Sequence, residues 1–307
     1  MTKRGHGLLV IGLMLGVSGV NVGCGAEEGV TVEEYGRLPD RGGDGGGMGE
    51  GGPGGRGGSD DGRPEVTPQS ELRVAHLSPN GAAFDVCLIH GDERLGPLMG
   101  GLGVEGGIKY TSVTRYFSFA PGTYTIRLVD VGALDCESHF LGASDMDNVV
   151  LAPGRRSTLA ALGEMDAVLT AERFRLELLP DESSVASGST SVRLFHAVPD
   201  AKLVDIGEGS GAAFSAVVTE VPFGRSGVGA DGLGFLSLLP RSGTTISVRL
   251  TDEADDLITS PPLTFHSQQA SSVFVVGNLD DLPRPLAVMH CNDLAEPSEH
   301  MTNCQIF

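Results

Sequence analysis

The strongest constraint on this chain is that its second half restates its first. Leu72-Arg73-Val74-Ala75-His76-Leu77-Ser78-Pro79-Asn80 aligns with Val192-Arg193-Leu194-Phe195-His196-Ala197-Val198-Pro199-Asp200 at a spacing of 120, without a gap. The same register sets Asp85 on Asp205 and Val86 on Ile206. Further along, Thr123–Asp130 (TYTIRLVD) answers Thr245–Asp252 (TISVRLTD), and Ser157–Gly163 (STLAALG) answers Ser271–Gly277 (SSVFVVG). Ordered correspondences of this kind mark a tandem duplication of one supersecondary unit. The sequence divides accordingly into a first repeat, 71–183, and a second, 189–307, which ends in a C-terminal tail.

Each repeat reads as strands. Leu72, Val74 and His76 share a face by period two, with Arg73 and Ala75 opposite. Tyr124, Ile126 and Leu128 alternate with Thr125 and Arg127, and Ile246, Val248 and Leu250 alternate with Ser247 and Arg249. Turns fall at Pro79-Asn80-Gly81, Pro121-Gly122, Pro153-Gly154 and Ser242-Gly243. About seven short strands in about 110 residues predict an immunoglobulin-like sandwich. The expected fold is all-β: two tandem immunoglobulin-like β-sandwich domains after a disordered Gly-rich tether. Glu164–Leu179 leaves strand and a short helix both open, with Met165, Val168, Leu169 and Glu172 at helical spacing. The connection Asp181–Gly188 (DESSVASG) is short enough to restrain the repeats relative to each other.

The N-terminus reads as an address. Lys3 and Arg4 precede an apolar run from Leu8 to Val20, the layout of a secretory signal at 1–23. Asn21-Val22-Gly23-Cys24 resembles a bacterial lipobox, although the usual Leu three places before the Cys is Asn21. Cys24 is thus the expected lipidation site, with secretion after cleavage near Gly23 as the alternative. Residues 24–70 form the linker; Arg41–Gly58 has 12 Gly in 18 residues, too little apolar surface to offset backbone entropy. Such a tether spans about 37 Å root-mean-square.

His76, Ser78 and Pro79 followed by Asp85, then Pro121, Gly122 and Tyr124, resemble the bacterial domain-of-unknown-function 4397 family. The second repeat keeps His196, Pro199, Asp200, Ala201 and Asp205, but has Val198 where the family has Ser and Thr244-Thr245 where it has Tyr. The resemblance implies extracellular β-sandwich modules, often tandem and anchored, with no established activity.

Candidate chemistry is sparse. His76 with Asp85, and His196 with Asp205, recur in both repeats and are the candidate ligand or structural residues. Ser78 lies two residues from His76 with no nucleophile elbow, and the second repeat has no such Ser, so a catalytic triad is disfavoured. The expected role of each His is a core position, its ring bonded to the following turn or to the Asp. Gly101, Gly103 and Gly106, and Gly227, Gly229 and Gly232, satisfy G-x-G-x-x-G, but strand-like sequence follows, so these are loops. Asp145 and Asp147, and Asp252, Asp255 and Asp256, are weak calcium candidates on loops, without an EF-hand pattern. No other cofactor is expected. Cys87, Cys136, Cys291 and Cys304 are an even set in a secreted chain; local pairing, Cys87–Cys136 and Cys291–Cys304, is the simplest of three connectivities.

A net charge of −19 disfavours nucleic-acid binding, and no run is long enough for an ordinary spanning helix. The expected protein is a non-enzymatic lipoprotein of the bacterial cell envelope, on the outer membrane or cell surface, or secreted or periplasmic if not lipidated. It would touch membrane only through its lipid and bind an extracellular glycan or protein. The alternatives are an envelope scaffold, or a carboxylate-dependent hydrolase of polysaccharide using acidic loop residues such as Asp145 and Asp147, which zero Trp supplies poorly with sugar platforms.

Overall fold

Strands buried on both faces lose the polar alternation of a half-exposed strand and become near-continuous apolar runs. Four strands of this chain are buried on both faces and form its centre, and two of them, with sequences RSTLAAL and ASSVFVV, come nearest to such a run. The computed structural model describes residues 67–181, 184–227, 234–279, 283–295 and 300–307. The signal, Cys24, the Gly-rich segment to 66, Gly229 and Gly232, and part of the Asp181–Gly188 connection lie outside the described residues.

The first half contains β1 (Ser70–His76), β2 (Phe84–His90), β3 (Glu93–Leu95), β4 (Ser112–Val113), β5 (Phe117–Phe119), β6 (Gly122–Asp130), β7 (Met146–Leu151), β8 (Arg156–Leu162) and β9 (Arg175–Asp181). One sheet runs β4-β1-β8-β9, with β5 also on β1; the facing sheet runs β3-β2-β6-β7. The stretch left open between helix and strand becomes a single 3-10 turn, Thr170–Glu172, followed by β9. No longer helix is needed, because Leu176 and Leu178 already reach the core from an edge strand.

The second half contains β10 (Thr190–His196), β11 (Leu203–Glu208), β12 (Ser215–Pro222), β13 (Arg225–Ser226), β14 (Phe235–Leu238), β15 (Arg241–Thr244), β16 (Ile246–Leu250), β17 (Ile258–Thr259), β18 (Leu263–Phe265), β19 (Ala270–Val276), β20 (Ala287–Asn292) and β21 (Cys304–Ile306). Its sheets run β13-β10-β19-β20-β21, with β14 on β10, and β12-β11-β16-β17; β15 and β18 form a separate pair. Both halves are β-sandwiches, and in each the first strand pairs in parallel with a strand from near the end of that half. Leu72 meets Ser157 and Val192 meets Ser271. The sequence pattern carries no mark of this parallel pair, because period two fixes faces and not neighbours.

Two cores fill the sandwiches. Leu72, Val74, Phe84, Val86, Ile126, Leu159 and Ala161 belong to the first, and Val192, Leu194, Val204, Ile206, Val248, Val273 and Val275 to the second. A third core lies between them. Ala75, Leu77, Ala160 and Leu162 leave the outer faces of β1 and β8 to meet Phe195, Ala197, Phe274 and Val276 from β10 and β19. The described sandwiches are therefore four sheets deep, and the two middle sheets are buried on both faces. The C-terminal tail adds a strap: Thr302 N–H donates to Val113 O at 2.8 Å and Arg115 N–H to His300 O at 2.8 Å.

Candidate functional site

The residues that recur in both halves sit where a central strand ends and a turn begins. His76 closes β1, its ring 4.7 Å from that of Phe84, and its Nε2 lies 3.0 Å from Ala82 O across the turn. Ser78 Oγ donates to Gly163 O at 2.5 Å, tying this turn to the end of β8. Asp85 faces a different loop: Oδ1 accepts the N–H groups of Val86 and Met99 at 2.7 and 2.9 Å, and Oδ2 accepts Gly100 N–H at 2.8 Å. Three backbone donors that would otherwise be unpaired are thus satisfied by one carboxylate.

The second half repeats the division of labour. Val198 N–H donates to His196 Nδ1 at 3.3 Å, so Nε2 carries the proton and donates to Ala201 O at 3.2 Å. Asp205 Oδ1 accepts Glu220 N–H at 2.9 Å and the Thr251 hydroxyl at 2.8 Å. Burial depresses both imidazoles to a pKa of about 4. The structure places each His against its turn and gives each Asp other partners, three backbone N–H groups for Asp85 and one backbone N–H with one hydroxyl for Asp205.

The acidic residues expected on loops are also engaged, and Asp147 proves to lie within β7, because the strand starts at Met146, directly after Asp145. Asp145 accepts Arg127 at 2.7 Å and lies 3.3 Å from His139; the Arg127 hydrogen bond holds its carboxyl below the usual range. Asp147 accepts the Thr125 hydroxyl at 2.7 Å. Asp256 accepts Gly211 N–H at 2.7 Å and Arg249 Nε at 2.6 Å, whereas Asp252 and Asp255 are exposed. Among the described residues, no three or more His, Cys, Asp or Glu side chains gather in a metal-binding group. The disulfides are Cys87–Cys136, joining β2 to the loop after β6, and Cys291–Cys304, joining β20 to β21.

Sequence reasoning missed a buried ionic cluster in the third core. Arg73 reaches Asp293 at 2.8 Å and Asp181 at 3.6 Å, while Arg193 reaches Asp181 at 2.8 Å. Thr158 donates to Asp181 at 2.6 Å, Ser272 to Asp293 at 2.7 Å, and Tyr116 OH to Asp181 at 2.8 Å. Burial by itself raises the carboxyl of Asp181, but Arg73 and Arg193 together with the Thr158 and Tyr116 hydroxyls bring it below the ordinary range. The arrangement exchanges partners between halves, since each Arg binds an Asp that lies in the other. The available signal was an Arg amid apolar residues, at matching places in RVAHL and VRLFHA.

Hollows open on the surface of the described residues, among them the following three. One of about 410 Å³ lies at the seam of the halves, between Glu172 and Arg175 on one side and Asp200, Lys202 and Phe223 on the other. Arg175 stacks there 4.6 Å over the Phe223 ring. A second, about 660 Å³, lies between Gly96–Glu105 and Gly132–Leu134. The third, about 270 Å³, is bounded by β18, β20 and β21.

The turn chemistry around His76 and Asp85 is where the comparison with known families bears. Residues 70–207 match the family model described as a domain of unknown function, DUF4397. The DUF4397 match runs from β1 into β11, covering the first sandwich and the opening two strands of the second. Both His turns and Asp205 fall inside it. No curated protein matches the chain. Among solved structures, a family CBM26 module of Eubacterium rectale Amy13K in complex with maltoheptaose is 10% identical, with 75% of this chain and 99% of that chain covered and a TM-score of 0.20. A candidate cell adhesion protein of Bacteroides ovatus is 9% identical, covering 75% and 99%, at 0.21. A candidate adhesin of Bacteroides ovatus is 9% identical, covering 81% and 99%, at 0.16. Superpositions this loose do not bear on what this chain binds.

Proposed function

We propose that the chain is a non-catalytic binding or adhesion module of the bacterial cell envelope, built from two DUF4397-type sandwiches and carried on a lipid-anchored N-terminal segment. One observation carries the reading. The polar residues shared by the halves, His76, Asp85, His196 and Asp205, and Ser78 beside the first of them, bond to turns, loops and strand backbone of their own sandwich. Their role is to hold strand ends, which leaves recognition to the outer surface. The third core supports the same reading, because it fixes two surfaces in one orientation, and a rigid pair loses less entropy on binding than two tumbling ones. Asp145 and Asp147, the carboxylates a hydrolase would need, have separate partners in Arg127 and Thr125.

The test is to incubate the labelled full chain with bacterial cells and with isolated envelope polysaccharides, and to read retention and product release together. Retention without release of sugar is the expected result. Release that Asp145→Asn abolishes would replace this reading with the hydrolase. Anchoring is checked separately by mass spectrometry of the mature N-terminus: Cys24 should carry a diacylglycerol, and cleavage after Gly23 with an unmodified thiol would make the protein a secreted one.

A further inference from the structure

Among the differences between the two sandwiches are two matching ladder positions. In the first, Leu178 of β9 pairs with Leu159 and Pro180 with Ser157, and Leu178 packs against the core. In the second, the same places on β20 hold His290, opposite Val273, and Asn292, opposite Ser271. Apolar positions have become polar ones, and these line the hollow of about 270 Å³ with Thr264, His266, Asn303 and Gln305.

The side chains there are held in place. His290 meets Phe265 edge-on at 5.3 Å and pairs across the ladder with Gln305. Asn292 Nδ2 donates to Gln269 Oε1 at 3.0 Å. His290 Nε2 and Asn292 Oδ1 are nevertheless buried without a hydrogen-bond partner among the described residues. Leaving such atoms unpaired is costly, and Leu178 and Pro180 show that the fold itself does not require them.

The lining chemistry selects the ligand. Its described residues include no Asp, Glu, Lys or Arg. A hard cation would need several oxygen ligands, usually with carboxylates among them, and an anion would favour Arg or Lys. Amides, a hydroxyl and imidazoles each offer donors and acceptors side by side, which is what vicinal sugar hydroxyls require. Burial lowers the pKa of His290 and so favours its neutral form. The volume falls just under the roughly 300 Å³ at which small-ligand pockets begin, enough for one ring and not for a chain.

We propose that the hollow between β18 and the β20–β21 edge binds a single residue of a neutral saccharide. This deepens the binding-module reading and rests on it.

The test uses affinity electrophoresis of the full chain through gels containing neutral glucan, mannan or galactan, with anionic alginate as the contrast. At least one neutral polysaccharide should retard the protein and alginate should not. Asn303→Ala and Gln305→Ala, both at exposed positions, should each weaken that retardation about tenfold with an unchanged melting point. Glu172→Ala, at the seam hollow, should leave it intact. Undiminished retardation in both variants would overturn the proposed site while leaving a binding module. If no neutral polysaccharide retards the protein, the proposal fails, and retention on cells then decides whether the binding reading survives. Stabilisation by Zn²⁺ or Ni²⁺ that His266→Ala removes, with no saccharide effect, would make the hollow a metal site instead.

Discussion

Arg73 Nη1 of the first sandwich forms an ion pair with Asp293 Oδ1 of the second at 2.8 Å, with both side chains at most 1% exposed. A charge so placed cannot fall back on water. Arg73→Met should therefore cost about 3–5 kcal/mol, because it strands Asp293 in the interior. Arg73→Met combined with Asp293→Leu should recover part of that loss, since no uncompensated carboxylate remains there. Urea denaturation of the three proteins measures this, and a single variant within 1 kcal/mol of wild type, about the size of a surface pair, would contradict it.

The buried imidazoles set a pH dependence. His76 and His196 have folded-state pKa values of about 4, against 6.5 for the free group. The unfolded chain therefore takes up protons that the folded chain refuses between these values. Stability from this source is complete above pH 6.5, falls as the pH drops through the window and levels off below 4. The loss is up to about 3 kcal/mol per imidazole. Asp181, its carboxyl held below 3.8, adds a separate loss only under more acidic conditions. Denaturation midpoints at pH 7.5 and 4.5 test this, and the His76→Gln/His196→Gln variant should show a flatter slope.

The Cys291–Cys304 bridge closes a span of 13 residues, worth about 3 kcal/mol by loop entropy. It also anchors the tail that lies on β4. Cys291→Ser/Cys304→Ser should accelerate amide exchange at 112–115 and 300–307, while exchange in β2 and β6 stays near wild type. Exchange by mass spectrometry reads both regions in one experiment.

Gly163 has φ +81°, and a Cβ there would collide with the carbonyl oxygens of Glu172 and Arg173. Gly163→Ala should cost more than about 1 kcal/mol, through strain added to the clash. It should also disturb the Ser78 hydrogen bond to Gly163 O. Thermal melting gives the magnitude; a neutral result would mean that the turn after β8 yields more readily than its contacts suggest.

Period two placed Leu72, Val74 and His76 on one face, and the same residues line the first core or its edge. What period two could not report was the burial of the opposite face. Ala160 and Leu162, and Phe274 and Val276, are buried between the halves, and the apolar stretches LAAL and VFVV are how doubly covered strands read. The His turns were legible because His and Pro punctuate a strand end. The Asp partners were not, because Asp85 bonds to Met99 and Asp205 to Glu220 of β12, 14 and 15 residues onward. The hollow at β18 was hidden for a further reason. His290 and Asn303 belong to no motif and come together only through the ladder between β20 and β21.

The exchange of partners across the third core has a genetic consequence. Arg73 needs an Asp encoded some 220 codons downstream, and Arg193 needs one encoded upstream of it. A deletion removing either half would leave the survivor with a basic residue, an acidic residue and a bare apolar sheet facing water. The cross-matched charges thus tie the two sandwiches into one folding unit, each half covering the sheet that the other would expose.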